Sequence, residues 1–409
     1  MTHSYLIVFI FGLIIFLPTA LYKYVQASSM SFGLSLSLVA LVAYLTLSRR
    51  RLFFEMRFVL LIVFSLLLVL VLSTFSYFFD EVYFEFSRFI GSFFYLAIVL
   101  ILSYCFCLLL VDVNESLFRR TLNSIFYLLA FDGLYSTIGY YFFGQAKNLI
   151  LFTEPSHFAI AFSPFFLYQM VENYNVKFRL ICIILVVAFI SIIFKSLVLL
   201  ASLFVALLIV LKKRDAIIYA ILCSFIVFIN ISELSYFITR LDFSGESKNL
   251  SVLVFLSGYE RAFLSIKDTF GLGIGFQQMG YLGQDGKYMG IIFDLTGYRV
   301  NYNDGGTVSS KIVSELGIFG VFLLFFYLVY FIKSFYRLRK FLHSNINNIL
   351  PWGGVKMFLT SVYLMTIVVL FIRGTGYFTS SSFLFLTSLY FLASKLGRTA
   401  CSSPAHINS

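Results

Sequence analysis

Long apolar runs constrain this chain more than any other feature. A helix needs about 20 apolar residues to cross a hydrocarbon core, and runs of that order recur from end to end. Twelve candidate spans can be drawn: 5–22, 30–48, 58–78, 89–111, 121–143, 155–171, 180–194, 196–211, 215–230, 307–332, 354–372 and 376–394. Of the 409 residues, 60% are hydrophobic and 12% charged, against about half and about a quarter in soluble domains. Lipid is the surrounding that hides such an excess, so the expected fold is an all-α polytopic membrane protein. The seventh and eighth runs meet at Lys195 with almost no loop. That hairpin decides the sidedness of everything after it.

Charge orients the spans. With the N-terminus in the cytoplasm, loops on that side hold 18 of the 30 Lys and Arg residues. The short turns opposite hold Lys23, Arg88, Lys147, Lys195 and Arg373. The positive-inside rule therefore favours twelve spans with both termini cytoplasmic. The net charge of +11 becomes a topology signal and a match to anionic lipid, not a sign of nucleic acid binding. MTHSYLIVF at the start has no basic region and no small-residue cleavage site follows, so an uncleaved first helix is expected. The five cysteines form neither a disulfide framework nor a CxxC metal spacing.

Three regions follow: residues 1–230 with nine spans, a 76-residue outer loop at 231–306, and residues 307–409 with three spans and a tail. The loop is polar and punctuated by GLGIG (271–275), LGQDGKYMG (282–290) and NDGG (303–306). Over 249–269, Val252, Phe255, Leu256, Tyr259 and Phe263 share one side of a helix. An amphipathic helix is expected there, with the loop lying over the membrane face as a partly helical cap.

Charged side chains near a bilayer are costly, which makes each a candidate. Glu154-Pro155-Ser156-His157 interrupts the greasy stretch ILFTEPSHFAIAF (150–162). Pro suits a first helical turn, Thr153 or Glu154 can cap, and an acid suits the positive end of the helix dipole. A helix start would account for the island by itself. Glu154 and His157 nevertheless share a side, and a carboxylate beside a histidine orients it and raises its basicity. His3, His343 and His406 fall on the inner side, which leaves His157 as the histidine of the outer face. Thr307, Lys311, Ser314 and Glu315 form a polar stripe about 12 Å long on the tenth span. It is expected to face a protein or water cavity, or to be a Lys311–Glu315 pair between helices. Arg373-Gly374-Thr375-Gly376 offers a planar cationic fork and close backbone approach, or else a snorkelling arginine. Arg261 and Arg299 in the loop are further anion-binding candidates or surface charges. Asp132, mid-way along the fifth run, reads as a hydrogen-bonded structural acid or as part of a proton relay. No phosphate loop, HExxH, GxSxG or DxD motif is present, so ATP hydrolysis and zinc proteolysis lack sequence support.

FTEPSHFA (152–159), GYERAFLSIKDTFGLGIGF (258–276), GGTVSSKIVSELGIFG (305–320) and IRGTGYF (372–378), with the twelve-span layout and one large late loop, resemble the bacterial O-antigen polymerase family (Wzy-type). The resemblance implies a membrane glycosyltransferase fold of the GT-C-like kind, in the inner membrane with its site facing the periplasm. It implies undecaprenyl-pyrophosphate-linked oligosaccharide as donor and acceptor, no metal or other cofactor, and a possible chain-length-regulating co-polymerase as partner. Related O-antigen ligases carry a histidine near the start of the helix after the large loop. Here that position reads NYNDGGT, which favours polymerase over ligase. Under this implication Glu154 and His157 are the candidate base pair, with Glu260 as second choice. Arg261, Arg299 and Arg373 contact pyrophosphate or sugar, and Asn303, Asp304, Lys311 and Glu315 shape the pocket. The alternatives are a ligase and a lipid-linked sugar flippase or transporter. A transporter would show polar groups at the midplane and broken helices in matching halves, of which Asp132 and Pro164 are the hints.

Overall fold

The computed structural model describes residues 2–48, 52–80, 82–144, 149–212, 240, 242–243, 247–343 and 352–394. The expected ninth span lies outside the described residues. Thirteen helices make up the described regular structure: α1 (Thr2–Tyr24), α2 (Met30–Ser48), α3 (Met56–Phe79), α4 (Phe86–Val111), α5 (Glu115–Phe143), α6 (Pro155–Glu172), α7 (Lys177–Ile193), α8 (Leu197–Val210), α9 (Leu250–Asp268), α10 (Gly286–Thr296), α11 (Val308–His343), α12 (Gly354–Phe371) and α13 (Ser380–Ala393). No strand occurs among the described residues. Six helices, α1, α2, α3, α4, α11 and α12, are long and apolar enough to cross a membrane, and α8 and α13 are shorter apolar helices. The chain is thus an all-helical bundle of membrane-embedded character.

Helix α12 is the core of the bundle and packs against α5, α6, α8, α11 and α13. Its apolar positions run all round, which is the pattern of a helix buried on every side, and 83% of its span is buried. Phe11, Phe118, Phe165 and Phe358 from α1, α5, α6 and α12 fill the centre with tilted and edge-on rings, the geometry that ring quadrupoles favour.

Contacts sort the connections into two ends. At one end Arg119 pairs with Glu115 and Glu172 at 2.7 and 2.8 Å, Glu115 accepts from the Gly354 amide, and Tyr174 Oη meets His343 Nδ1 at 2.8 Å. At the other end the end of α1 meets the 149–154 linker, and the α3–α4 turn meets residues 277–281. The α12–α13 turn joins them by meeting residues 306–311. There the Gly374 amide donates to the Gly306 carbonyl at 2.9 Å, and the Tyr377 ring lies beside Lys311. The α7–α8 turn at Lys195 belongs to this second end too, because Lys195 lines one cavity with Glu154 and Arg373.

Two expectations need correction. The tenth run is not one continuous helix. It breaks at Gly317, whose φ of 57° and ψ of −134° suit glycine alone. The GLGIG loop docks into the break: Ile318 N donates to Gly271 O at 2.8 Å, and Ile274 N and Gly275 N donate to the Ser314 and Glu315 carbonyls at 3.0 Å. These bonds re-satisfy backbone groups that the break frees, as burial demands. The second correction concerns α9. Phe263, read on one side with Val252, Phe255, Leu256 and Tyr259, is exposed while Val252 is buried, and the buried face also carries Ser257, Gly258, Arg261, Ala262 and Ser265. Gly258 explains the shift. Its missing side chain lets α9 lie directly on the 303–306 turn, where a Cβ would overlap the Gly305 carbonyl.

Candidate functional site

The site begins with a pinned linker. Asp132 of α5 is buried, and its two carboxylate oxygens accept from the amides of Ile150 and Leu151 at 2.6 and 3.1 Å. From α1, Lys23 donates to the Leu149 and Ile150 carbonyls, and Tyr24 Oη donates to the latter at 2.5 Å. Leaving those amides unmatched would cost about 1–3 kcal/mol each. Asp132 is thus the hydrogen-bonded structural acid of the two sequence readings. Its effect is to fix the chain just before α6.

Glu154 follows in extended conformation at the N-cap of α6, with Pro155 in the first turn. The position is the expected one, but the carboxylate accepts from Ser156 Oγ at 2.9 Å and makes no capping bond to a backbone amide. It lies 4.0 Å from His157 Nε2 and 3.7 Å from an Arg373 nitrogen. Thr153 Oγ1 stands 3.4 Å from His157 Nδ1. An acid, a histidine and an arginine from two connections therefore meet at one point. Beside them opens a cavity of about 600 Å³. Its charged rim is Glu154, Lys195, Arg240 and Arg373, and its apolar walls include Val198 and Ala201 of α8 and Val252 and Phe255 of α9. His157 faces a smaller neighbouring cavity of about 60 Å³, shared with Thr375 and Thr379.

A second polar centre lies where the long loop meets α11. Thr307, Lys311, Ser314 and Glu315 are all buried, as a polar stripe requires. Of the two readings of the stripe, the Lys311–Glu315 pair does not form. The Lys311 ammonium bonds Asp304 Oδ1 at 2.8 Å and the Asn303 carbonyl at 2.9 Å, not Glu315. The Asp304 side chain is itself exposed; the partial desolvation of its carboxyl in the fold acts to raise it, but Lys311 outweighs this and holds Asp304 below its ordinary value. Glu315 faces the amides of Gln277 and Met279 and the Tyr377 hydroxyl, yet neither carboxylate oxygen closes a hydrogen bond of normal geometry. Glu315 is thus surrounded by donors but not saturated by them.

Arg261 belongs to this second centre rather than to the Glu154–His157 group. It is buried, donates to the Tyr302 carbonyl at 2.6 Å and lies 4.4 Å over the Tyr302 ring. Arg299 covers the same ring at 4.8 Å and pairs with Asp285 at 2.7 Å. Burial pulls the Arg261 guanidinium below its ordinary pKa, with Tyr302 and Asp285 acting against that shift. Glu260 is engaged elsewhere: its oxygens accept from the Lys287 and Tyr288 amides at 2.9 Å, in the first turn of α10. That use accounts for its charge at the positive end of a helix.

IRGTGYF joins the two centres. Arg373 reaches Glu154, Gly374 N bonds Gly306 O, and the Tyr377 ring lies 5.1 Å from the Lys311 ammonium. Sequence reasoning does not single out Tyr377, Gln277 or Arg88. Gln277 Oε1 accepts from Arg88 at 3.2 Å and lies 3.5 Å from Lys311 Nζ, tying the α3–α4 turn to the centre. The one available signal is the position of Tyr377 inside a polar-rich motif. Among the described residues, no three of His, Cys, Asp and Glu converge, and what the site presents to a ligand is chiefly cationic.

No family model matches this sequence, and no curated protein or solved structure matches it.

Proposed function

We propose that the chain is a membrane glycosyltransferase of the O-antigen polymerase type. It would join undecaprenyl-pyrophosphate-linked oligosaccharide units at the periplasmic face of the inner membrane, without a metal and with inversion. One observation carries this reading: the 600 Å³ cavity whose rim is charged and whose walls are apolar, beside the Glu154–His157–Arg373 cluster. A substrate with an anionic head, a sugar chain and a lipid tail needs that combination of surfaces. The residue motifs that resemble the polymerase family line the same end of the bundle.

In this reading the acceptor hydroxyl gives its proton to His157, which Glu154 orients. The hydroxyl oxygen bonds to the anomeric carbon of the donor sugar while the bond from that carbon to the pyrophosphate oxygen breaks. Negative charge collects on the leaving pyrophosphate, where Arg373 stabilises it more than in the ground state. Arg261, Arg299, Asn303, Asp304, Lys311 and Glu315 support the loop wall and its sugar contacts. A co-polymerase that sets chain length belongs to the same proposal.

The break in α11 favours a second reading, a transporter of lipid-linked sugar, because broken helices with buried charges are a transporter feature. Purified protein in liposomes, supplied with lipid-linked repeat units, separates the two. Longer glycan supports the polymerase, and movement across the bilayer without elongation supports the transporter. His157→Ala is expected to slow elongation by about 10²-fold or more, the scale of general base catalysis. Full elongation by His157→Ala, Glu154→Ala and Arg373→Ala at normal protein levels would reject the assigned roles.

A further inference from the structure

Helix α9 packs lengthwise against the first part of α11. Tyr259 Oη meets Ser309 Oγ at 2.7 Å, and Ser265 Oγ meets Ser314 Oγ at 2.8 Å. Both contacts advance along both chains, so α9 and the first part of α11 run side by side in one direction. The depth that α9 reaches follows from α11. Its basic cluster, Lys333, Arg337, Arg339 and Lys340, suits one bilayer boundary. A hydrocarbon core of about 30 Å takes about 20 helical residues. Counting that number back from the middle of the cluster arrives at the Gly317 break, which puts the break at the opposite boundary.

The turn after α9 is tied to that level, since Gly271 O accepts from Ile318 N at 2.8 Å. Below it the exposed flank of α11 carries Ile318, Phe319 and Phe322, a strip that meets lipid in a membrane-embedded bundle. Phe270 adjoins the strip and is 89% exposed. Its φ of 51° is a left-handed conformation that costs a bulky residue roughly 1–2 kcal/mol. Phe263 is 67% exposed, and the exposed Lys267 lies between the two rings in sequence.

The geometry points to a bilayer anchor at the end of α9, with Phe263 and Phe270 seated in the lipid interface and Lys267 at the lipid phosphates. The occupant is the bilayer itself, because the patch continues the lipid-facing strip of α11. Aromatic rings and a lysine are the residue types that settle at this boundary. Since Val252 and Phe255 of the same helix wall the large cavity, the anchor also fixes the height of that cavity above the membrane. The inference rests on membrane embedding and not on the transferase reading, and its test requires no activity.

Trp352 is the single tryptophan of the chain. Phe270→Trp in a Trp352→Phe background, reconstituted in liposomes of phosphatidylethanolamine and phosphatidylglycerol, reports on the anchor directly. The expected result is blue-shifted emission, loss of emission with lipids carrying a doxyl group near the headgroup, and little loss with aqueous iodide. Strong iodide quenching with no doxyl quenching overturns the proposal. Should Phe270→Trp fail to fold, Phe263→Trp in the same background carries the same two outcomes.

Discussion

At the scale of single residues, what separates the polar candidates is where their hydrogen bonds go. Glu260 and Glu154 look alike in sequence, each an acid beside an anion-binding candidate or a histidine. Glu260 is taken up by two backbone amides, while Glu154 stays within reach of His157 and Arg373. The amides that engage Glu260 are 27 and 28 residues away in the chain, so no local pattern could announce them. Glu260→Gln keeps the shape but turns one accepting oxygen into a donor that faces an N–H. The expected loss is about 1 kcal/mol, the usual scale of a helix cap, read as a lower thermal midpoint of the purified protein. An unchanged midpoint would reject the capping role. Asp304 gives a pH prediction. Lys311 holds the exposed Asp304 carboxyl below its ordinary value, so the unfolded chain takes up the proton more readily than the folded one. The stabilisation is present at neutral pH and fades as pH falls below about 4 and through the folded value. Thermal unfolding followed against pH should decline less steeply on acidification in Asp304→Asn, which starts from a lower midpoint at neutral pH.

At the scale of elements, helix positions are largely legible in the sequence and their internal detail is not. Spans such as 30–48 appear within a residue or two of their expected bounds, because apolar runs bounded by charge leave little choice. The turn at Lys195 is legible for the same reason. The Gly317 break is not, since SELGIFG reads as a helix with tolerated glycines. Its cause is a loop far earlier in the chain, GLGIG, whose carbonyls and amides replace the broken turn. The face of α9 misleads in the same way: hydrophobicity favours Phe263 inward, but close approach at Gly258 decides the packing. Gly317→Ala tests this element. A side chain there meets an unfavourable backbone conformation, worth about 1–3 kcal/mol, and also overlaps the Gly271 carbonyl. The expected outcome is a lower thermal midpoint and new protease sensitivity within 266–276. A variant as stable and as protease-resistant as the parent would show that the break does not depend on glycine.

At the scale of the whole molecule, the sorting of connections into two ends agrees with the charge pattern read from sequence. Arg119, Lys177 and Arg339 belong to the end expected inside, and Lys23, Arg88, Lys195 and Arg373 to the end expected outside. The reason for this legibility is physical: basic residues are retained on one side during insertion, and helices of spanning length alternate. The chemistry of the site is less legible, because its two centres draw on the α3–α4 turn, the 149–154 linker, the long loop and the α12–α13 turn, which are remote in sequence. Sidedness is a property that one experiment can read. In a variant whose five cysteines are replaced by serine, Lys287→Cys and Lys177→Cys each put one exposed thiol at one of the two ends. In intact spheroplasts a membrane-impermeant maleimide is expected to modify the thiol at 287 and to reach that at 177 only after the membrane is opened. The reverse pattern would turn the molecule over, move the large cavity to the cytoplasmic face and remove the periplasmic reaction from the proposal. The outcome bears on mechanism as well as orientation, because a lipid-linked donor consumed where it is displayed must meet Glu154, His157 and Arg373 on that same face.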